Sequence, residues 1–482
     1  MTGTTLWTSG TRPLVAAIGA VALVAILAAA LGIGVRATFG AHVAVDETQY
    51  LLTALSLAQD GDLDIADELG EQRWRGFADV EPPVQTTTCP DGGQISPHDP
   101  LLPLLLAPAA AAGGFVAAKL TLALLSGVLA GLTLWVAVRR FDLPLPLAAI
   151  GVGLTAASAP LAVYGQQLYP ELPAALLTLL AVVALTGPSA PLRRRDLILL
   201  CSAVVMLPWL SVKYAPVAAT LAVLGGLRWW RAGEHRDALR AVAAFTVLGA
   251  GYLAVHRAVW GGWTVYASGD HFERTGEFSV VGSSPDYLGR SVRLVGLLVD
   301  RDFGLVAWAP AWLLLVPALA ALLARSPRGG GTGRAALLAP LAAGWLVAMF
   351  VALTMHGFWW PGRQIVMVAP LAVLVVLCWL AGSGRGVRAV AAALGVAGVL
   401  SYGWLLADGY ARRITWVFGF ETSRSPVHRW LSPLLPDYRG EFWLAHFVWI
   451  ALLAALAIWA WHRARAPLTP AFNSRWLGSS PL

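Results

Sequence analysis

Two adjacent carboxylates, Asp46 and Glu47, stand a few residues past the first long apolar run, in Val45-Asp46-Glu47-Thr48-Gln49-Tyr50-Leu51-Leu52, and open an acidic stretch in an otherwise basic, apolar chain. A carboxylate at the aqueous end of a membrane span can remove the proton of an attacking hydroxyl as a bond forms, which is the work of a general base. A second acid beside it raises its affinity for that proton. Attack of a sugar hydroxyl on an anomeric carbon is one reaction such a base serves. The same residues also read as a helix start, because acids favour first turns and Tyr50, Leu51, Leu55 and Ser56 follow.

A leaving group held at headgroup level would need cations near the same membrane face. His98, Lys119, Lys213 and Arg363 are the candidates. Lys119 also suits snorkelling to the interface. Lys213 lies between Pro208 and Pro216 in a short apolar stretch with Trp209 and Tyr214, and ionisable groups in such places are functional candidates. Arg363, in His356-Gly357-Phe358-Trp359-Trp360-Pro361-Gly362-Arg363, fits a phosphate contact or an interfacial anchor beside tryptophans. Glu171, in Gln166-Gln167-Leu168-Tyr169-Pro170-Glu171, faces the same cavity or caps a helix. Asp60, Asp62, Asp64 and Glu71 have the spacing of a calcium loop, but Ile65 stands where that loop needs glycine, so a solvated acidic loop is expected.

These residues are carried by a chain of 482 residues, 57% hydrophobic and only 13% charged, with a net charge of +7. Its mean hydropathy is +0.67. That composition excludes a soluble protein and points to an all-α polytopic membrane protein of about twelve spans. The expected spans are Leu14 to Val35, Phe115 to Val138, Leu145 to Val163, Leu172 to Thr186, Leu197 to Leu210, Ala215 to Leu227, Ala238 to Val255, Phe303 to Leu323, Ala335 to Thr354, Ile365 to Leu380, Val387 to Leu406 and Phe442 to Trp461. Leu197 to Leu227 reads either as two spans or as a re-entrant pair. Arg12 precedes a first helix that is expected to be retained, without a small-residue cleavage site.

With Arg12 inside, Arg139-Arg140, Arg193 to Arg195, Arg228, Arg325, Arg334, Arg385, Arg388 and Arg463 all fall on the inner side. The positive charge therefore reflects topology, and no basic, aromatic-interleaved stretch exists to bind nucleic acid. A single unit spans 1–482, with a first outer loop and surface helices at 36–114 and a second outer loop at 260–302. From Arg36 to Asp99 the sequence holds twelve carboxylates against three arginines. Its turn-rich end, Cys89-Pro90-Asp91-Gly92-Gly93, leads to Leu101 to Ala112, apolar but too short to span and set off by Gly113-Gly114, as expected of a surface helix. Ser326 to Gly333 reads as a flexible inner loop. Cys89, Cys201 and Cys378 make no disulfide framework.

The motifs, taken in order, resemble those of the GT-C glycosyltransferases, and among them the phospholipid-carrier-dependent group (family 39-like) that includes protein O-mannosyltransferases and the aminoarabinose transferases of lipid A. Asp46-Glu47-Thr48-Gln49-Tyr50-Leu51 resembles the Asp-Glu motif of the first outer loop. Ser56 to Ile65, His98-Asp99-Pro100-Leu101 to Pro108, Tyr169-Pro170-Glu171-Leu172-Pro173, Trp209 to Tyr214 and Gly362-Arg363-Gln364 follow in the family's order, up to about Pro370. The resemblance implies a GT-C-type helix bundle in the plasma (inner) membrane with an extracytoplasmic active site. Asp46 would be the base of an inverting displacement and Glu47 its acidic partner. His98 and Arg363 would contact the phosphate of a polyprenyl-phosphate-linked sugar donor, with Tyr50, Asp99, Glu171 and Lys213 also on the substrate. The acceptor would be a glycan, a lipid or a protein, and membrane lipid surrounds the chain. No cofactor is required by this scheme, although a divalent cation could bridge the phosphate. His98 stands where some relatives carry lysine or arginine, and no C-terminal carbohydrate-binding domain follows the last helix.

A multi-pass transporter or flippase of a lipid-linked or small polar substrate is the alternative. Transporters of this size usually show related halves, and here the acidic first outer loop has no counterpart in the second half.

Overall fold

In the computed structural model, residues 11–88, 92–187, 193–264, 286–325, 332–352 and 355–465 are described. Residues 89–91 of the expected turn, 265–285 of the second outer loop, 326–331 of the expected inner loop and 353–354 of the ninth span lie outside them. Among the described residues the chain is almost wholly helical. The one sheet is a two-stranded antiparallel ribbon that pairs Thr87 with Ile95 and Thr88 with Gln94.

Every expected span meets a helix, but the lengths differ. Among the described residues, seven helices are long and apolar enough to cross a membrane: Arg12–Leu31, Leu101–Arg139, His235–Val259, Gly333–Val351, Arg363–Ala381, Arg385–Tyr410 and Leu444–Arg465. Shorter apolar helices occupy Leu145–Ala156, Glu171–Leu185 and Pro310–Ala324. The stretch from Leu197 to Leu227 becomes two helices, Arg194–Leu210 and Ala215–Arg231, joined by the 3-10 turn Val212–Tyr214. Two expected spans are cut short by proline. Leu145 to Val163 breaks before Pro160, and Phe303 to Leu323 breaks at Ala309, whose extended backbone (φ −141°, ψ 91°) precedes Pro310. Proline pushes the residue before it out of the helical region and has no N–H to continue the ladder.

The elements needed below are α1 (Thr11–Leu31), α2 (Asp46–Gln59), α3 (Ala66–Gly70), α4 (Leu101–Arg139), α5 (Leu145–Ala156), α6 (Leu161–Tyr164), α7 (Glu171–Leu185), α8 (Arg194–Leu210), α9 (Ala215–Arg231) and α10 (His235–Val259). Helix α4 is interrupted at Gly113 and Gly114, as the sequence suggests. Gly114 has φ 58° and ψ −146°, a conformation that favours glycine, so the stretch before it leaves at a new angle. Helix α4 packs against both α1 and α2, which fixes the first outer loop on the bundle.

Several of the arginines expected on the inner side act as helix caps. Arg228 donates to the carbonyls of Leu185 and Gly187 (the latter at 2.6 Å), and Arg388 to those of Leu380 and Ala381 at 2.9 and 2.6 Å. Arg334 donates to Leu322 O at 2.6 Å and to Arg325 O. A cation on the last carbonyls of a helix satisfies orphan acceptors and complements the dipole. Helix α7 runs from Glu171 to its capped end at Leu185, and Arg363–Ala381 runs from Arg363 to its capped end. The arginine caps and the residues Glu171 and Arg363 therefore lie at opposite ends of the same helices.

Candidate active site

Five segments distant in sequence converge at the end of the bundle away from those caps. Asp46 is the first residue of α2, preceded by Val45 in a left-handed conformation (φ 56°) that is rare for a β-branched residue. His98 lies in the loop between the ribbon and α4, Glu171 opens α7, and Lys213 sits in the turn between α8 and α9. Arg363 opens the 3-10 turn Arg363–Val368 just after Gly362, whose φ of 84° favours glycine. A Cβ at Gly362 would also meet Leu305 Cδ2 at 2.7 Å, so a side chain there would require Leu305 to shift.

The charges alternate. Arg363 donates through NH1 to Asp46 Oδ2 and through Nε to Glu171 Oε1, each at 2.9 Å. Lys213 Nζ donates to the same Glu171 oxygen at 2.7 Å and to Gln364 Oε1 at 3.2 Å. His98 Nε2 lies 3.8 Å from Asp46 Oδ2. Below the guanidinium lies the Tyr169 ring, 3.9 Å away, close enough for a cation–π contact. Both contacts of Asp46 use Oδ2, and Oδ1 makes no bond among the described residues. The Asp46 side chain is 22% exposed, against 7% for Arg363 and 1% for Glu171, so its carboxylate is the acid that solvent reaches. Burial would raise its proton affinity, but Arg363 and His98 outweigh burial and hold it well below the usual carboxylate range.

Glu47 does not join this set. Successive helical residues point about 100° apart, and Glu47 turns inward, where Oε1 accepts from Leu168 N at 2.7 Å and lies 3.8 Å from Lys119 Nζ. Burial pushes its carboxyl upward despite Lys119. Lys119, read as a snorkelling residue in one of its two expectations, is instead fully buried, and it donates to His42 O at 2.9 Å and Gln166 Oε1 at 3.3 Å. Its ammonium finds better partners inside than at the interface. Tyr50, one helical turn from Asp46, packs edge-on against His98 with ring centroids 4.5 Å apart.

Asp99 also departs from the expected substrate contact, since both of its oxygens are taken by protein. Oδ2 accepts from Val212 N at 2.9 Å, and Oδ1 accepts from Tyr252 Oη at 2.8 Å and faces His256 Nε2 at 2.9 Å. Sequence reasoning missed Tyr252, His256 and Gln364. The first two carried a signal, a tyrosine and a histidine four apart on one face of an apolar helix. At the other end of α2 lies the acidic stretch spaced like a calcium loop. Asp62 and Asp64 accept backbone N–H groups of Asp64, Ala66 and Gln94, and Glu71 pairs with Arg73. Asp60, Asp67 and Glu68 do bring ligand atoms within 4.8 Å of one another, but about 20 Å along the helix from Asp46.

Beside the charged set lies an apolar groove of about 750 Å³ between α8, α9 and α10. Trp209, Val212 and Tyr252 are part of its lining, which brings it next to Lys213 and Asp99.

Comparison with solved structures identifies the fold. The chain is similar to ArnT from Cupriavidus metallidurans bound to undecaprenyl phosphate, with a TM-score of 0.50 and 15% identity over 94% of this chain and 73% of that one. The apo form of the same protein gives a TM-score of 0.46 at 14% identity, over 95% and 78%. No family model matches the sequence, and no curated protein does either. The expected GT-C-type membrane helix bundle is thus the fold of this chain.

Proposed function

We propose that the chain is an inverting membrane glycosyltransferase that moves a sugar from a polyprenyl-phosphate-linked donor to an acceptor hydroxyl, with Asp46 as general base. The observation that carries the reading is the placement of Asp46: partly exposed, anchored through Oδ2 by Arg363, and within 3.8 Å of His98. The acceptor hydroxyl attacks the anomeric carbon, its proton passes to Asp46 Oδ1, and the bond to the phosphate oxygen breaks with its electron pair on the phosphate. Arg363, Lys213 and His98 take up that charge. A strongly acidic carboxyl suffices as base here because the hydroxyl grows more acidic as its oxygen bonds to carbon.

The rest of the reading rests on three supports. The ArnT structure with this fold holds undecaprenyl phosphate, which favours a polyprenyl phosphate as the carrier. The groove between α8, α9 and α10 offers an isoprenoid tail an apolar bed that reaches Val212, next to Lys213. Capping arginines at the far ends of α7 and Arg363–Ala381 favour those ends as cytoplasmic, which supports an extracytoplasmic site in the plasma membrane.

The test uses purified protein in nanodiscs with radiolabelled polyprenyl-phosphate sugars. Wild type is expected to consume one of them in the presence of a glycan, lipid or protein acceptor. Asp46→Asn is expected to lower transfer by at least about a thousandfold while leaving donor binding intact. Full transfer by Asp46→Asn would remove the base assignment. Donor translocation by wild type without sugar transfer would favour a flippase.

A further inference from the structure

Resting on the lipid-donor reading above, a deeper feature of the site concerns α10. This helix forms the outer wall of the apolar groove and is largely exposed along its length. It is attached to Asp99 through Tyr252 and His256. The three side chains are 2%, 6% and 0% exposed for Asp99, Tyr252 and His256, so these bonds form out of contact with water. His256 also stacks on Trp260 with centroids 4.7 Å apart, and Trp260 Nε1 donates to Ser96 O at 2.9 Å, a second tie to the same loop.

Asp99 faces three ways. Through the backbone it fixes His98, its neighbour in sequence; through Oδ2 it holds the N–H of Val212 and so the turn that carries Lys213; through Oδ1 it holds α10. His256 Nδ1 lies 2.8 Å from Tyr252 O while Nε2 faces the carboxylate, so both ring nitrogens point at oxygen acceptors. A ring bonded at both nitrogens is held in one orientation. Removing one partner would leave a buried polar group unmatched.

We propose that Asp99, His256 and Tyr252 form a strap of positioning residues that sets the side chains of His98 and Lys213 relative to the wall of the lipid groove, coupling occupancy of the groove by an isoprenoid chain to the grip on its phosphate. None of the three touches the reacting atoms. Their effect is on where the phosphate-binding side chains sit when a long tail fills the groove.

The experiment compares equilibrium binding of undecaprenyl phosphate and farnesyl phosphate to the full chain in nanodiscs. Wild type is expected to prefer the longer chain. His256→Phe is expected to raise Kd for undecaprenyl phosphate by about tenfold and to shrink the preference for it over farnesyl phosphate. His256→Gln, which keeps an N–H towards Asp99, is expected to recover much of the loss. Tyr252→Phe removes one hydroxyl and is expected to fold, with a smaller change in the same direction, so the test does not depend on the histidine variants being stable. Equal loss of affinity for both lipids, or no change for either, overturns the strap while leaving the donor reading in place. Failure of wild type to bind either lipid overturns the donor reading itself.

Discussion

Helix α2 carries a cluster of carboxylates at each end, and the two behave differently. At its start, Asp46 meets Arg363, His98, Glu171 and Lys213, which arrive from the loop before α4, the start of α7, the turn after α8 and the segment beyond Gly362. At its finish, Asp60, Asp67, Glu68 and Glu71 surround a single arginine, Arg73, within one short stretch of chain. The side chains of Asp60, Asp67 and Glu71 are 41%, 49% and 63% exposed, so water screens their pairs with Arg73. Around Arg363 the cations are buried, water is largely excluded, and each charge matters to its neighbours. Acid density alone therefore says little about chemistry. Convergence of distant, buried, opposite charges on one accessible oxygen says more.

That contrast can be broken at its strongest point by Arg363→Met. The variant leaves Asp46 and Glu171 without their shared cation, and it is expected to cost about 3–5 kcal/mol in unfolding experiments and roughly two to three orders of magnitude in sugar transfer. Arg363→Lys should recover only part of either, because one ammonium cannot hold Asp46 and Glu171 through two separately directed N–H groups. Wild-type transfer by Arg363→Met would mean that the convergence is merely architectural.

An effect on stability alone is expected behind the site. Lys119→Met strands Glu47 in a buried position and is expected to destabilise the fold by about 3–5 kcal/mol, whereas the double variant Lys119→Met with Glu47→Leu should regain most of that. Thermal unfolding of both proteins checks it. If the double variant is no more stable than the single one, the Leu168 N–H suffices for Glu47 without Lys119.

The smallest effect belongs to the far end of α2. Burial and the neighbouring Asp67 push the Glu68 carboxyl up to about 8, even with Arg73 nearby. The folded chain then keeps a proton that the unfolded chain releases above its ordinary value of 4.5. Stability supplied through this group accordingly falls as pH rises from about 4.5 towards about 8. Glu68→Gln is expected to flatten that part of a melting-temperature profile and to leave transfer within about twofold of wild type. A large loss of transfer would erase the distinction between the two ends of the helix.

The sequence by itself determined the membrane class, the helix-rich architecture and the identity of most of the charged set. Apolar length, arginine placement and the order of short motifs are one-dimensional properties, and Asp46, His98, Glu171, Lys213 and Arg363 stood out as polar residues at the ends of apolar runs. Their mutual contacts, the inward turn of Glu47 towards Lys119, the capture of Asp99 by α10 and the proline-shortened helices at Leu145–Ala156 and Pro310–Ala324 were decided only by the tertiary structure. The physical reason is that a charge's partner depends on which helix ends pack together and on how much water they exclude. Neither quantity is a property of any local stretch of chain.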